Sequence, residues 1–199
     1  MIRNIVFDVG QVLLRFEPLK WLHTLFEPER AEALYSIIFA GPEWPMLDSG
    51  ALTDEEALVR FTAAHPELAS DIALAFGRWP ECLSLIEETA ALVPALRARG
   101  YHTYVLSNFS PRFWLIAPQY PVFELMDGMF ISSNEHLAKP DPQIYARLCE
   151  KFDLVPEECF FIDDMPENVK AAKECGMEAI VFQNGSELPA ALQANRILI

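Results

Sequence analysis

Asp8 closes the first apolar run of this chain, Ile5-Val6-Phe7-Asp8-Val9-Gly10, and polar groups recur at comparable places downstream. Ser107-Asn108 follows a second apolar run, Lys139 precedes Pro140, and Asp163-Asp164 follows a third run, Phe160-Phe161-Ile162. Gathered into one crevice, these carboxylates would repel one another, and burial would raise the cost of keeping them charged. A hard divalent cation relieves that repulsion, and Mg²⁺ takes one or two carboxylates completed by waters and phosphate oxygens. Asp8 and Asp164 are the expected direct ligands, with Asp163 direct or through water. Zinc is disfavoured, because His23, His65, His102 and His136 lack ligand spacing.

The same set suits a phosphate monoester. Its negative charge opposes attack by a carboxylate, and Mg²⁺ with Lys139 would cancel that opposition. Ser107, and backbone N–H groups at a helix start near Ser110, would hold the transferring oxygens. Asp8 could then attack phosphorus and form an aspartyl-phosphate that water hydrolyses. Singly, each group also has an ordinary reading as a cap, a loop residue or a surface charge. Their joint order at strand ends is what carries weight.

The elements that would position them follow from pattern. The 199 residues suit one domain, or a core with a small insert, and the 52% hydrophobic share supports a packed interior. Short apolar runs at the start and at 101–106, 128–132, 159–162 and 178–182 read as strands alternating with helices. That alternation predicts an α/β fold with a doubly wound, mainly parallel, Rossmann-like sheet, whose ligands bind beyond the strand carboxyl ends. Residues 17–88 look different: helical, aromatic and without strand alternation. They are expected to form a small helical cap inserted into a core of residues 1–16 and 89–199, hinged at 16–18 and 88–94. Thr53-Asp54-Glu55-Glu56 reads as a capping box, Gly100 as a helix stop, and Ser110-Pro111 as a helix start. Trp21, Trp44, Phe61, Phe76 and Trp79 form either an aromatic wall over a substrate or the cap's own core.

A net charge of −14 argues against nucleic-acid partners and anionic membrane surfaces. Cys82, Cys149, Cys159 and Cys175 lack CxxC spacing and are expected as buried thiols. No signal peptide or spanning segment is expected, so the expected setting is cytoplasmic.

Together these motifs resemble those of the haloacid dehalogenase-like (HAD) hydrolase superfamily. Phe7 to Val12 resembles its first motif, Leu106-Ser107-Asn108 the second, Lys139-Pro140-Asp141-Pro142 with Ile144-Tyr145 the third, and Asp163-Asp164 with Glu167-Asn168 the fourth. The resemblance spans essentially the whole chain, and its finer likeness is to α-D-glucose-1-phosphate phosphatases, which share the Asp-x-Gly first motif. It implies Asp8 as nucleophile, Mg²⁺ on Asp8, the Gly10 carbonyl and Asp164, and phosphate on Ser107, Asn108 and Lys139. The substrate implied is a small phosphorylated metabolite, such as a sugar phosphate.

One departure stands out. Where most phosphatases of this superfamily carry a second aspartate as general acid and base, this chain has Gly10. Gln11 can hold a water but cannot deprotonate it, and cap residues Glu43 and Asp48 are the candidate substitutes. The alternatives to a phosphatase are a catalytically weak binding or regulatory module, and a metal-free 2-haloacid dehalogenase. Asp163-Asp164 speaks against the last, because paired acids repel a substrate carboxylate.

Overall fold

The computed structural model describes residues 1–199. Five short strands form one parallel sheet: β1 (Asn4–Phe7), β4 (His102–Ser107), β5 (Gly128–Ile131), β6 (Cys159–Asp163) and β7 (Glu178–Val181), in the order β5-β4-β1-β6-β7. All four residues of β1 are buried, as a strand covered on both faces requires. Alternation sorts its side chains between two apolar clusters. Ile5 and Phe7 face one with Val105 and Phe160, and Val6 faces the other with Leu106, Phe130 and Phe161. The order reverses direction at β1, so the crevice of the switch point opens just past Asp8.

The cap holds five helices: α1 (Pro18–Leu22), α2 (Pro28–Ile38), α3 (Glu43–Asp48), α4 (Asp54–Ala64) and α5 (Ala69–Arg78). Both halves of the expected capping box form: Thr53 Oγ1 accepts from the Glu56 N–H, and the Glu56 carboxylate accepts from the Thr53 N–H. Phe61, Phe76 and Trp79 are buried, so this part of the expected wall is cap core. Trp44 is half-buried and packs at 5.7 Å on Phe16 and 5.1 Å on Trp79, which itself lies 5.7 Å from Phe109 of the core.

Two expectations need correction. The insert is not wholly helical, because β3 (Leu83–Leu85) pairs antiparallel with β2 (Leu14–Phe16). This ribbon forms both stems, so the second crossing lies at 83–86 and not at 88–94, where α6 (Glu87–Ala90) and α7 (Leu92–Ala98) pack on the core. Nor does a helix begin at Ser110-Pro111. A turn intervenes, and α8 is only Phe113–Ile116. The remaining helices are α9 (Ser132–Glu135), α10 (Pro142–Phe152), α11 (Pro166–Glu174) and α12 (Leu188–Ala194). None of the twelve is long and apolar enough to cross a membrane. Cys82, Cys149 and Cys159 are buried free thiols as expected, while Cys175 is only half-buried.

The cap sits tightly on the core. Arg112 pairs with Asp54 at the start of α4, donates to the Phe76 carbonyl at 2.8 Å, and lies 4.8 Å from the Phe76 ring centre. Gly50, at φ +70°, presses against the Ser133 carbonyl so closely that a Cβ would collide with backbone. Gly100 has a similar φ of +90° but faces open space. Both changes to alanine carry left-handed strain of about 1–2 kcal/mol, and Gly50→Ala adds the collision. Urea denaturation is expected to show Gly50→Ala losing clearly more stability than Gly100→Ala; equal losses would mean that the cap does not depend on this contact.

Candidate active site

The backbone brings the site together before any side chain does. The Asp8 N–H donates to the Ile162 carbonyl at 2.9 Å, which sets the end of β1 beside Asp163 at the end of β6. On the other flank, β4 ends in Ser107, which is 1% exposed. Asn108 makes a two-way amide contact with the Lys139 backbone, donating to its carbonyl at 2.9 Å and accepting from its N–H at 2.8 Å. The 139 loop is thereby tied to the end of β4.

Lys139 is the centre of the arrangement. Its ammonium, 1% exposed at the side chain, lies 2.9 Å from Asp8 Oδ1 and 2.6 Å from Asp163 Oδ2, and donates to the Leu106 carbonyl at 3.0 Å. An ammonium has three protons, and these three acceptors occupy them. Burial works against its charge, but Asp8 and Asp163 outweigh burial and hold its pKa above the usual lysine range. Burial lifts Asp8 to about 6 against the pull of Lys139, and the Asp163 charge adds to the lift.

Asp163 is fully engaged. Besides Lys139, its oxygens accept from the Met165 N–H at 2.8 Å and from Asn168 Nδ2 at 3.0 and 3.1 Å. Asn168 is held in turn by its carbonyl, which accepts from the Tyr145 hydroxyl at 2.9 Å. Asp164 is different: half-buried, its carboxyl raised first by burial and then by Asp163. One oxygen from each of Asp8, Asp163 and Asp164 falls within 4.8 Å of the others. Three carboxylates against one ammonium leave surplus negative charge at a spacing that suits a hard divalent cation. A cavity of about 500 Å³ adjoins Asp164, lined among others by Gln11, Arg15 and Asn184.

Several expected roles change. The Asn108 side chain ties the Lys139 backbone to the end of β4, which leaves one of its two amide protons uncommitted. Part of the N–H cradle near Ser110 is spoken for: the Phe109 N–H donates to Ser132 Oγ at 2.9 Å, and the Ser110 N–H lies near enough to the Asp48 carboxylate to favour its charged form. Gln11, at φ 57°, gives its side-chain amide to the Phe16 carbonyl at 2.8 Å and steadies the β2 stem. Gly10 has no atom within 4 Å of where a Cβ would stand, so packing does not explain its missing side chain.

Three contributors were not legible in the sequence. Ser132 Oγ donates to the Asp48 carbonyl and latches the cap to the core. Ser110 keeps a buried hydroxyl with no hydrogen-bond partner. Arg112 bridges to Asp54. Serines and arginines after strands are too common to single out, and only the cap's docking gives these their meaning.

Of the two proposed cap acids, only Asp48 reaches the site. Glu43 starts α3 and lies beside Gly41, five residues or about 7 Å along the helix. Asp48 ends α3 close enough to feel the charges of both Asp8 and Lys139.

The chain belongs to the haloacid dehalogenase-like hydrolases, whose family profile matches residues 2–176. Among curated relatives, the sesquiterpene phosphatase astK of Aspergillus oryzae is 27% identical, with 86% of this chain matching 85% of that one. A D-ribitol-5-phosphate phosphatase of Bacteroides thetaiotaomicron is 29% identical over 45% of this chain and 47% of its own length. Among solved structures, a HAD family enzyme of Bacteroides thetaiotaomicron in a magnesium complex superposes with a TM-score of 0.77 at 23% identity, covering 96% of this chain and 98% of that one.

Burial first, and the Asp8 charge second, push the Asp48 carboxyl up to about 7, with the Ser110 N–H and Lys139 opposing. The folded carboxyl thus holds its proton more tightly than the unfolded one. Stability linked to it is full below the ordinary value of 3.8 and is lost as pH rises through about 7. Asp48→Asn cannot ionise, so it is expected to gain on the wild type by on the order of 2–4 kcal/mol between about pH 4 and about pH 8. Paired urea melts check this; a difference that does not change with pH contradicts it.

Proposed function

We propose that this chain is a Mg²⁺-dependent phosphomonoesterase acting on a small phosphorylated metabolite through an aspartyl-phosphate at Asp8. The observation that carries the reading is the buried cluster of Asp8, Asp163 and Asp164 around the single ammonium of Lys139. That donor set fits Mg²⁺, with Asp8, Asp164 and the Gly10 carbonyl as direct ligands. Asp163, its oxygens already accepting from Lys139, Met165 and Asn168, would act through water. Bound there, Mg²⁺ would offset the charge of the incoming phosphoryl group and orient it.

The residues divide the remaining work. Lys139 holds Asp8 in one rotamer and, when a phosphoryl group arrives, can turn a proton from Asp8 toward its oxygens. Ser107 Oγ, at the end of β4, offers a further donor. Asp8 Oδ attacks phosphorus, the bond to the ester oxygen breaks, and water later releases phosphate from Asp8. With Asp8 and Lys139 both under 10% exposed, the site excludes water when the cap is down, and the cap must lift to admit substrate.

The relatives' names support the phosphate end of this reading more than the alcohol end. One is a sesquiterpene phosphatase and another a ribitol-5-phosphate phosphatase. A sugar phosphate, including glucose 1-phosphate, is therefore one candidate beside the more apolar esters that the sesquiterpene phosphatase's name points to.

Hydrolysis of an aryl phosphate is expected with Mg²⁺, to vanish with EDTA, to return with excess Mg²⁺, and to fall to background in Asp8→Asn. Full turnover in EDTA, or in Asp8→Asn, would overturn the mechanism. A panel of sugar, nucleotide and prenyl phosphates then ranks the alcohols.

A further inference from the structure

Gly10 poses a chemical problem that the rest of the site has to solve. An alkoxide is a poor leaving group, and water is a poor nucleophile toward an aspartyl-phosphate. Both steps want a group that can give and take a proton at the outer face of the phosphoryl group. Lys139 is committed to two carboxylates, Asn108 to the backbone, Gln11 to Phe16, and Asp163 to three donors. Asp8 is the nucleophile and Asp164 is reserved for the metal in the reading above, which leaves the carboxyl that reaches in from the cap, Asp48.

We propose that Asp48, reaching down from the cap, is the general acid for the departing alcohol and the general base for the attacking water. The assignment rests on the phosphomonoesterase reading above and deepens it. Three observations place the carboxyl. Its carbonyl is latched by Ser132 Oγ, the same hydroxyl that accepts from the Phe109 N–H next to the Ser107-Asn108 turn. Two residues on, Gly50 rests directly on the Ser133 backbone. The carboxylate lies near enough to the Ser110 N–H for that group to favour its charged form, beside a Ser110 hydroxyl that is buried and has no partner. That buried hydroxyl is a spare donor between Asp48 and the end of β4, which an ester oxygen or a water could use once the cap opens to admit substrate.

The protons balance over the cycle. As the bond from phosphorus to the ester oxygen breaks, its electron pair stays on that oxygen, which takes the Asp48 proton and leaves as an alcohol. Water then attacks the phosphoryl group on Asp8 and gives its proton to the Asp48 carboxylate. Phosphate departs, Asp8 recovers its carboxylate, and Asp48 is protonated again. Because Asp48 belongs to the cap, the proton donor is assembled only when the cap closes. Hydrolysis and closure are thus coupled through one residue.

The test separates proton transfer from positioning. A series of substituted phenyl phosphates, from phenyl to dinitrophenyl, is hydrolysed by the wild type, Asp48→Asn and Asp48→Glu, and the first-turnover burst of phenol is followed. A good leaving group needs no proton, so the burst of Asp48→Asn is expected to change little with the dinitrophenyl ester. With phenyl phosphate it is expected to fall by roughly 10²–10⁴-fold. Steady-state turnover should fall for every ester, because dephosphorylation still needs the base, and Asp48→Glu should recover part of both losses. A burst reduced by the same factor for every ester would make Asp48 a positioning residue and overturn the assignment. So would Asp48→Asn matching the wild type throughout. A wild type inert toward the whole series would instead overturn the phosphomonoesterase reading itself.

Discussion

The grip of one buried ammonium on two carboxylates organises this molecule. Lys139 lies 2.9 Å from Asp8 and 2.6 Å from Asp163, and it stacks 5.3 Å from the Phe161 ring centre in a region with almost no solvent. Burying charges is costly unless each is paired and hydrogen-bonded, and removing one partner of such a set strands the others. The surrounding fold is arranged to prevent that. The β1–β6 register sets Asp8 beside Asp163, Asn108 ties the 139 loop to β4, and Tyr145 holds Asn168 against Asp163. The set remains one charge short of neutral even before Asp164 is counted. That deficit suits a divalent cation, and in the proposed mechanism a metal added to it would free Lys139 to attend to phosphate.

Above this cluster the cap behaves as a part of the site and not only as a cover. Its own core is aromatic, and one apolar cluster runs without a break from the cap helices into a face of the sheet. Polar contacts at Ser132 and Arg112, and the close backbone approach at Gly50, then fix its orientation over the strand ends. In the proposed mechanism a docked cap would exclude water from the intermediate and bring Asp48 to bear, and a lifted cap would exchange substrate and product. The short β2–β3 ribbon is the natural place for that movement, since it makes both connections between the two parts.

Much of this was legible in the sequence, and what was not has physical reasons. The five parallel strands were readable because burial on both faces demands unbroken apolar runs. The capping box was readable because its chemistry is local. Asp8, Ser107, Lys139, Asp163 and Asp164 could be grouped because sheets of this kind expose the ends of their strands on one edge. The β3 strand was hidden, since three residues next to a helical segment carry no period of their own. The helix expected at Ser110 begins later, because Phe113 and Trp114 close tight turns onto the Ser110 and Pro111 carbonyls before α8 starts. That Asn108 would also tie down the Lys139 backbone could not be read from the sequence. Long-range polar pairing is what sequence pattern conceals.

The central claim is that the Asp8 carboxylate accepts the phosphoryl group. It is tested most directly by quenching the protein in acid shortly after mixing with Mg²⁺ and an activated aryl phosphate, then mapping peptides by mass. The account predicts one phosphoryl group per chain on the peptide that contains Asp8, formed at the rate of the phenol burst and absent in Asp8→Asn. A phosphoryl group on any other residue, or rapid hydrolysis with no covalent phosphoryl at any time, would contradict it.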